Sequence, residues 1–282
     1  MLTVCPTPIG NMQDVTQRQR QALESADIIA CEDTRRAGKL LERLGVDRRD
    51  GHPRLWRYDE HTARGQVEPL IEAMEEGQQV VLISDAGTPT ISDPGYRLVS
   101  HCRQRGVKVV ALPGPVAAVV ALSGSGLPTD RFFFEGFLPG RSASRQQRLK
   151  ELCALGVTVV VYESPRRIVE ALADLQAVCG ARRQVCVARE LTKRHEEYLV
   201  GEVNQVRQDL AARDAVKGEV VLCIAADNGS ECAEAEDDEV DRLIASLHAQ
   251  GVSKRTIKEV VAEVYDVARS ELYDRIEAVT RG

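Results

Sequence analysis

No apolar run in this 282-residue chain approaches the ~20 residues needed to cross a bilayer. The opening residues, Met1-Leu2-Thr3-Val4-Cys5, read as a strand and lack the charged and apolar regions of a secretory leader. The expected location is therefore cytoplasmic. Eight cysteines stand singly, at 5, 31, 102, 153, 179, 186, 223 and 232, with no Cys-x-x-Cys pair, and the five histidines have no metal-ligand spacing. This argues against a structural zinc centre and for reduced cysteines used as small core hydrophobes. Two phosphate cradles are missing as well. No Gly-x-Gly-x-x-Gly follows the first strand-like run and no Gly-Lys-Ser/Thr occurs, so neither common pyrophosphate loop is expected.

What is present describes an ordinary globular protein, 43% hydrophobic and 28% charged. The length suits two compact units and a small appendage, because single cores seldom grow beyond ~250–300 residues. A net charge of −6 argues against a broad nucleic-acid face, yet the charge is unevenly spread. Residues 227–241 hold eight acids and no Lys or Arg, whereas residues 131–195 hold twelve Lys and Arg against six Asp and Glu. A locally basic middle third can attract an anionic polymer, with Arg141, Arg145, Arg148 and Lys150 as its expected centre.

Residues 1–115 alternate between short apolar strands and helical patterns, which predicts a mainly parallel α/β domain. The strands fall at 2–5, 28–31, 54–58, 80–83 and 107–112. Helical patterns include Asp14 to Ala26, opened by Asp14 with Gln17 three residues on. Another places Val67, Leu70, Ile71 and Met74 on one face, closed by Gly77. Pro113-Gly114-Pro115 ends this unit. Residues 116–226 show strand-like runs at 131–135, 157–162, 184–188, 197–200 and 219–225, irregularly spaced, so a mixed sheet is expected. Phe132-Phe133-Phe134 reads as core. Residues 227–238 read as an acidic linker, and 239–282 as a small domain of three short helices with N-caps at Ser253 and Ser270.

Ligands of open parallel sheets collect outside the carboxyl ends of the strands, and the chain's unusual chemistry is concentrated there. Val80-Val81-Leu82-Ile83 empties into Ser84-Asp85-Ala86-Gly87-Thr88-Pro89, where Asp85 can accept hydrogen bonds and small residues leave room for a ligand. Pro6-Thr7-Pro8-Ile9-Gly10-Asn11, Pro113 to Ala118 and Tyr162-Glu163-Ser164-Pro165 have similar character. Two further strand ends are charged, Glu32-Asp33-Thr34-Arg35-Arg36 and Arg189 to His195. Charges set against buried strands must be paired or face a cleft. His61, in Asp59-Glu60-His61, can shuttle protons, but a lone loop histidine is more often a solvated residue.

Taken in order, these segments resemble the tetrapyrrole-methylase superfamily, the class III S-adenosylmethionine-dependent methyltransferases. The resemblance is carried by Thr7-Pro8-Ile9-Gly10-Asn11, Glu32 to Arg35, Ser84 to Pro89 with Asp93-Pro94-Gly95, Pro113-Gly114-Pro115, Glu135 to Pro139, Tyr162-Glu163-Ser164, Arg189 to Lys193 and Lys217-Gly218-Glu219. Together they cover residues 4–224, and Leu272-Tyr273 is similar to a C-terminal extension of the same family. The Thr-Pro-Ile-Gly-Asn first loop is similar to the branch that modifies ribosomal RNA. One departure is local: Asp59-Glu60-His61-Thr62 stands where that branch often has His-x-His-Asn.

The resemblance implies two α/β domains with S-adenosylmethionine in the cleft between them, a homodimer and no metal. It places the cofactor near Pro8, Asp85, Ala86, Val116, Ala117, Tyr162, Glu163, Gly218 and Glu219. The implied reaction is 2′-O-methylation of a cytidine ribose in the decoding region of 16S rRNA in the small ribosomal subunit. Glu190 and Asp33 are then candidate general bases, with Arg35, Arg189 and Lys193 steadying phosphate or ribose. Two rivals stay open: a methyltransferase for a small tetrapyrrole-like molecule, and a non-catalytic RNA-binding or assembly factor.

Overall fold

The computed structural model describes residues 1–48, 50–59, 63–226 and 230–265, together with 272, 275, 276 and 279. Residues 1–225 form one compact unit and 226–282 a second.

Short apolar runs build the first sheet: β1 (Leu2–Val4), β2 (Ile28–Cys31), β3 (Arg54–Arg57), β4 (Val80–Leu82) and β5 (Val109–Ala111). Their order is β3-β2-β4-β1-β5, with every neighbouring pair parallel. β1, β2 and β4 are buried along their whole length, as parallel strands covered on both faces must be. One face packs on Val67, Leu70, Ile71 and Met74 of α3 (Ala63–Glu75) and Leu98 of α4 (Tyr96–Gln104). The other packs on Leu23 of α1 (Gln17–Glu24) and Ala37 and Leu41 of α2 (Thr34–Leu44).

α1 starts later than its sequence pattern suggests. Thr16 is the N-cap: its hydroxyl accepts from Gln19 N–H while the Gln19 side chain accepts from Thr16 N–H, a reciprocal box. Asp14 belongs instead to a short 3-10 turn, Met12–Asp14.

The second sheet holds β6 (Phe132–Phe137), β7 (Thr158–Glu163), β8 (Gln184–Arg189), β9 (Glu197–Glu202) and β10 (Val220–Ile224), in the order β6-β7-β10-β8-β9. It is mixed: β6 and β7 are parallel and the remaining pairs antiparallel. One face carries α6 (Ser142–Cys153), α7 (Ile168–Cys179) and α8 (Val203–Ala211). The opposite face packs on Ala118, Ala121 and Leu122 of α5 (Ala117–Gly124), and on Ile9 from the loop after β1. The same cluster thus ties the two sheets together.

The phenylalanine run differs from its expected core role. β6 is an edge strand, so Phe132 and Phe133 are 43% and 38% exposed, and only Phe134 packs against the core. The acidic stretch is also not a linker through its length, because α9 runs from Ser230 to Ala249. Its alternating Glu and Ala residues are good helix formers. In this second unit Val240 and Ile244 of α9 pack with Ile257 and Val261 of α10 (Lys254–Tyr265), and with Leu272 and Ile276. Ser253 caps α10, its hydroxyl accepting from Thr256 N–H at 3.2 Å. Ser270, the other expected cap, lies outside the described residues, as does His61.

Candidate active site

The loops following β1, β4 and β5 are stitched together at the carboxyl edge of the first sheet. Thr7 N–H donates to Gly87 O at 2.8 Å, and Gly87 N–H donates back to Thr7 O at 3.0 Å. The Thr88 hydroxyl donates to Pro115 O at 2.9 Å, fixing the third loop to the second. This approach requires glycine, because a side chain at Gly114 would collide with Pro6. The second sheet reaches the same place. Ala118 N–H at the start of α5 donates to the Tyr162 hydroxyl at 3.2 Å, and a Cβ on Gly10 would strike Lys193 and the Leu191 carbonyl.

Between these loops lies a cavity of about 390 Å³, within the ~300–1,000 Å³ of small-molecule sites. Of the nine predicted cofactor residues, Ala86, Val116, Ala117, Tyr162, Glu163, Gly218 and Glu219 line it. Ile9 and Leu191 supply apolar wall. The charged lining is acidic throughout: Asp93, Glu163 and Glu219, with no Lys or Arg among the described residues. The Glu163 side chain is 0% exposed; its Oε1 takes Arg167 at 2.6 Å and Ser164 N–H at 2.6 Å. Its Oε2 has no hydrogen-bond partner among the described residues. A buried unpaired carboxylate oxygen is costly unless a ligand completes it.

Pro8 and Asp85 fall elsewhere. They line an adjoining cavity of about 310 Å³, which shares Ile9, Ala86 and Glu219 with the first. Asp85 is ion-paired there with Arg36, Nη1 to Oδ2 at 2.9 Å. Its position suits a residue at the junction of the two cavities better than one inside the first.

The two expected bases are held in their charged forms by neighbours. Asp33 is the N-cap of α2, accepting from Arg35 and Arg36 N–H, and the Arg35 side chain helps push its carboxyl down to about 2. Glu190 accepts from Lys193 Nζ at 2.8 Å and from Glu219 N–H, which holds it below the usual carboxylate range. Both are therefore weak bases. The carboxyls with the opposite tendency are Glu32 and Asp93. Burial, with the charges of Asp93 and Asp85 nearby, pushes Glu32 up to about 7. Burial also raises Asp93 to about 6, against a hydrogen bond from Ser84 and with the Asp85 charge adding to it. Residue type and spacing mark both segments but cannot rank them, because burial is a tertiary quantity.

The expected phosphate grips divide in the same way. Arg189 is consumed by Glu197 at 3.0 Å and by the carbonyls of His195 and of Lys217 from the segment before β10. Arg35 is 88% exposed and turned back on Asp33. Lys193 lines the second cavity, bound to Glu190 and Glu219. In the basic middle third, Arg145 is 2% exposed and pairs with Asp174 at 2.6 Å, so it is a core residue and not part of a surface patch. Arg148 forks onto Glu135 and also pairs with Glu151. Arg141 and Lys150 remain exposed.

Backbone strain marks the same loops. Among the described residues the non-glycine positions with positive φ are Thr90, Ser92, Glu190 and Thr192. Such conformations cost about 1–3 kcal/mol each and gather at ligand sites. Nothing in residue type alone announces them.

Residues 1–207 match the sequence profile of the Tetrapyrrole (Corrin/Porphyrin) Methylases, and the chain belongs to that family. It is 42% identical to a protein of Mesorhizobium japonicum named Ribosomal RNA small subunit methyltransferase I, over 98% of this chain and 90% of that one. A protein of the same name from Escherichia coli O157:H7 is also 42% identical, over 96% of this chain and 93% of that one. Among solved structures, diphthine synthase superposes with a TM-score of 0.62 at 16% identity, over 80% of this chain and 89% of that one. That likeness speaks to the fold.

Proposed function

We propose that this chain is an S-adenosylmethionine-dependent ribosomal RNA methyltransferase that modifies the ribose 2′-oxygen of a cytidine in the decoding region of 16S rRNA. It would act on the small ribosomal subunit, as a homodimer and without a metal. The observation that carries the reading is the 390 Å³ cavity whose charged lining is acidic, with no lining cation among the described residues. Glu163 and Glu219 are paired with Arg167 and Lys193, so the charge that would attract a cationic donor and repel a phosphate-bearing cofactor is chiefly that of Asp93. The relatives' common name supplies the substrate class.

The residues present fit such a donor. Val116, Ala117 and Ala86 give small-residue walls for close approach, and Asp93 supplies a carboxylate in the lining. When bound, S-adenosylmethionine supplies an electrophilic methyl group on a sulfonium centre. The chain's task is then to align a ribose hydroxyl with it and to remove the hydroxyl proton. Asp93 suits the second role: it lines the cavity, and its carboxyl is raised to about 6, so it is largely ionised yet basic at neutral pH. Holding the reacting atoms ~3–3.5 Å apart supplies much of the remaining acceleration.

The test is transfer of tritiated methyl from S-adenosylmethionine to small-subunit particles lacking the modification. Label in RNA at one cytidine, with the following phosphodiester bond resistant to alkali, is the expected result. Label on a base would remove the 2′-O assignment. Donor binding without transfer to particles would favour the non-catalytic reading, and transfer to a tetrapyrrole alone would favour the small-molecule one.

A further inference from the structure

The second cavity has a chemistry the donor site does not use. Four cations line it, Arg36, Lys39, Arg43 and Lys193, against two carboxylates, Asp85 and Glu219. Asp85 is taken by Arg36 and Glu219 by Lys193. Lys39 and Arg43 are exposed and have no ion-pair partner among the described residues, so the chamber carries uncompensated positive charge.

Three of these cations belong to α2 at spacings of three and four, which puts them on one helix face. Ala37 and Leu41 on the same helix are buried in the core, so the cationic face cannot turn away from the cavity without exposing them. Seven residues of helix separate Arg36 from Arg43, a rise of about 10 Å, room for more than one phosphate group. The chamber's volume, about 310 Å³, is that of a small ligand, and it adjoins the donor cavity through Ile9, Ala86 and Glu219.

We propose that the α2 face bearing Arg36, Lys39 and Arg43 grips the phosphodiester backbone of the RNA strand and seats the target nucleotide in the second cavity, beside the donor. This rests on the RNA-methyltransferase reading. Strand recognition by cations tracking the backbone is sequence-independent, so it positions the ribose and leaves base choice to other groups. The arrangement also explains how a protein of net charge −6 binds a polyanion: the attraction is local.

The test uses K39A/R43A and the charge-reversing K39E/R43E, with binding of unmodified small-subunit particles measured at several salt concentrations. K39A/R43A should bind particles about tenfold more weakly, and the slope of log affinity against log salt should become shallower by about 0.7 for each phosphate no longer neutralised. K39E/R43E should bind more weakly still. Calorimetric donor affinity should match the parent in both, which also certifies the fold. Particle affinity and salt slope equal to the parent's would overturn the assignment of α2. A tetrapyrrole polycarboxylate displacing particles from the parent, but not binding the variants, would overturn it too, by identifying the cations as pigment carboxylate ligands. The underlying reading fails differently: the parent protein itself would transfer no methyl to RNA.

Discussion

The two adjoining cavities share three residues but differ in the charge left unpaired. In the larger, Glu163 and Glu219 are paired with Arg167 and Lys193, which leaves Asp93; in the smaller, Arg36 and Lys193 are paired, which leaves Lys39 and Arg43. Like charges ~4 Å apart near a protein surface repel by about 4 kcal/mol. One mixed chamber would therefore weaken a cationic donor and an anionic strand alike. On the proposed function, placing the charges on opposite sides of Ile9 and Ala86 would let each reactant find its own field. Both halves contribute to each lining: three of the four cations come from α2 of the parallel half and Lys193 from the mixed half, while Asp93 belongs to the parallel half and Glu163 and Glu219 to the mixed one.

The comparison breaks most directly at Asp93. Replacing it with Asn should lower single-turnover transfer at saturating donor by about 10²–10⁴-fold, with a smaller loss of donor affinity because the same carboxylate helps attract the cation. In the parent, the rate should rise with pH through about 6 and level off above it, since the base acts when ionised. An Asn variant as fast as the parent would return the base to another group. Stability should run the opposite way: Asp93 and Glu32 are raised from 3.8 and 4.5, so their contribution is complete below those values and lost as pH rises through about 6–7.

Arg145 tests which basic residues belong to the RNA face. Arg145→Ala leaves Asp174 buried without its cation and should cost about 3–5 kcal/mol in urea unfolding. Salt-dependent loss of particle binding at unchanged stability would instead assign it to the RNA face. A smaller effect should come from Ala117→Leu, which crowds the donor cavity. Overpacking of about 1–3 kcal/mol corresponds to a ~5- to 150-fold loss of donor affinity by calorimetry. Unchanged affinity would move the donor away from α5.

The alternation of apolar runs and helix patterns was enough to locate the ten strands among the described residues; the central ones are legible because a strand covered on both faces is continuously apolar, whereas the edge strands β3, β6 and β9 are partly exposed and carry polar residues. The small residues at strand ends do converge in space, and seven of the nine expected cofactor positions line one cavity. Charged residues were less readable. Asp33 and Arg35 look alike in sequence to Glu32 and Arg36, yet the first pair satisfy each other at a helix cap while Glu32 is half-buried with one carboxylate oxygen fully so, and Arg36 faces a cavity. Arg145 and Lys150 lie in one basic run, and only packing separates a core ion pair from a surface charge.

Chain order alone thus determined the layers of the fold, the small-residue turns that meet at one cavity and the family, since these follow from local hydrophobicity, small side chains and their succession. Which carboxyl stays basic, which cation remains unpaired and which side of Ala86 each faces were decided only by folding. Those properties depend on solvent exclusion and on distances between groups far apart in the chain, and neither exists until the two sheets have closed on each other.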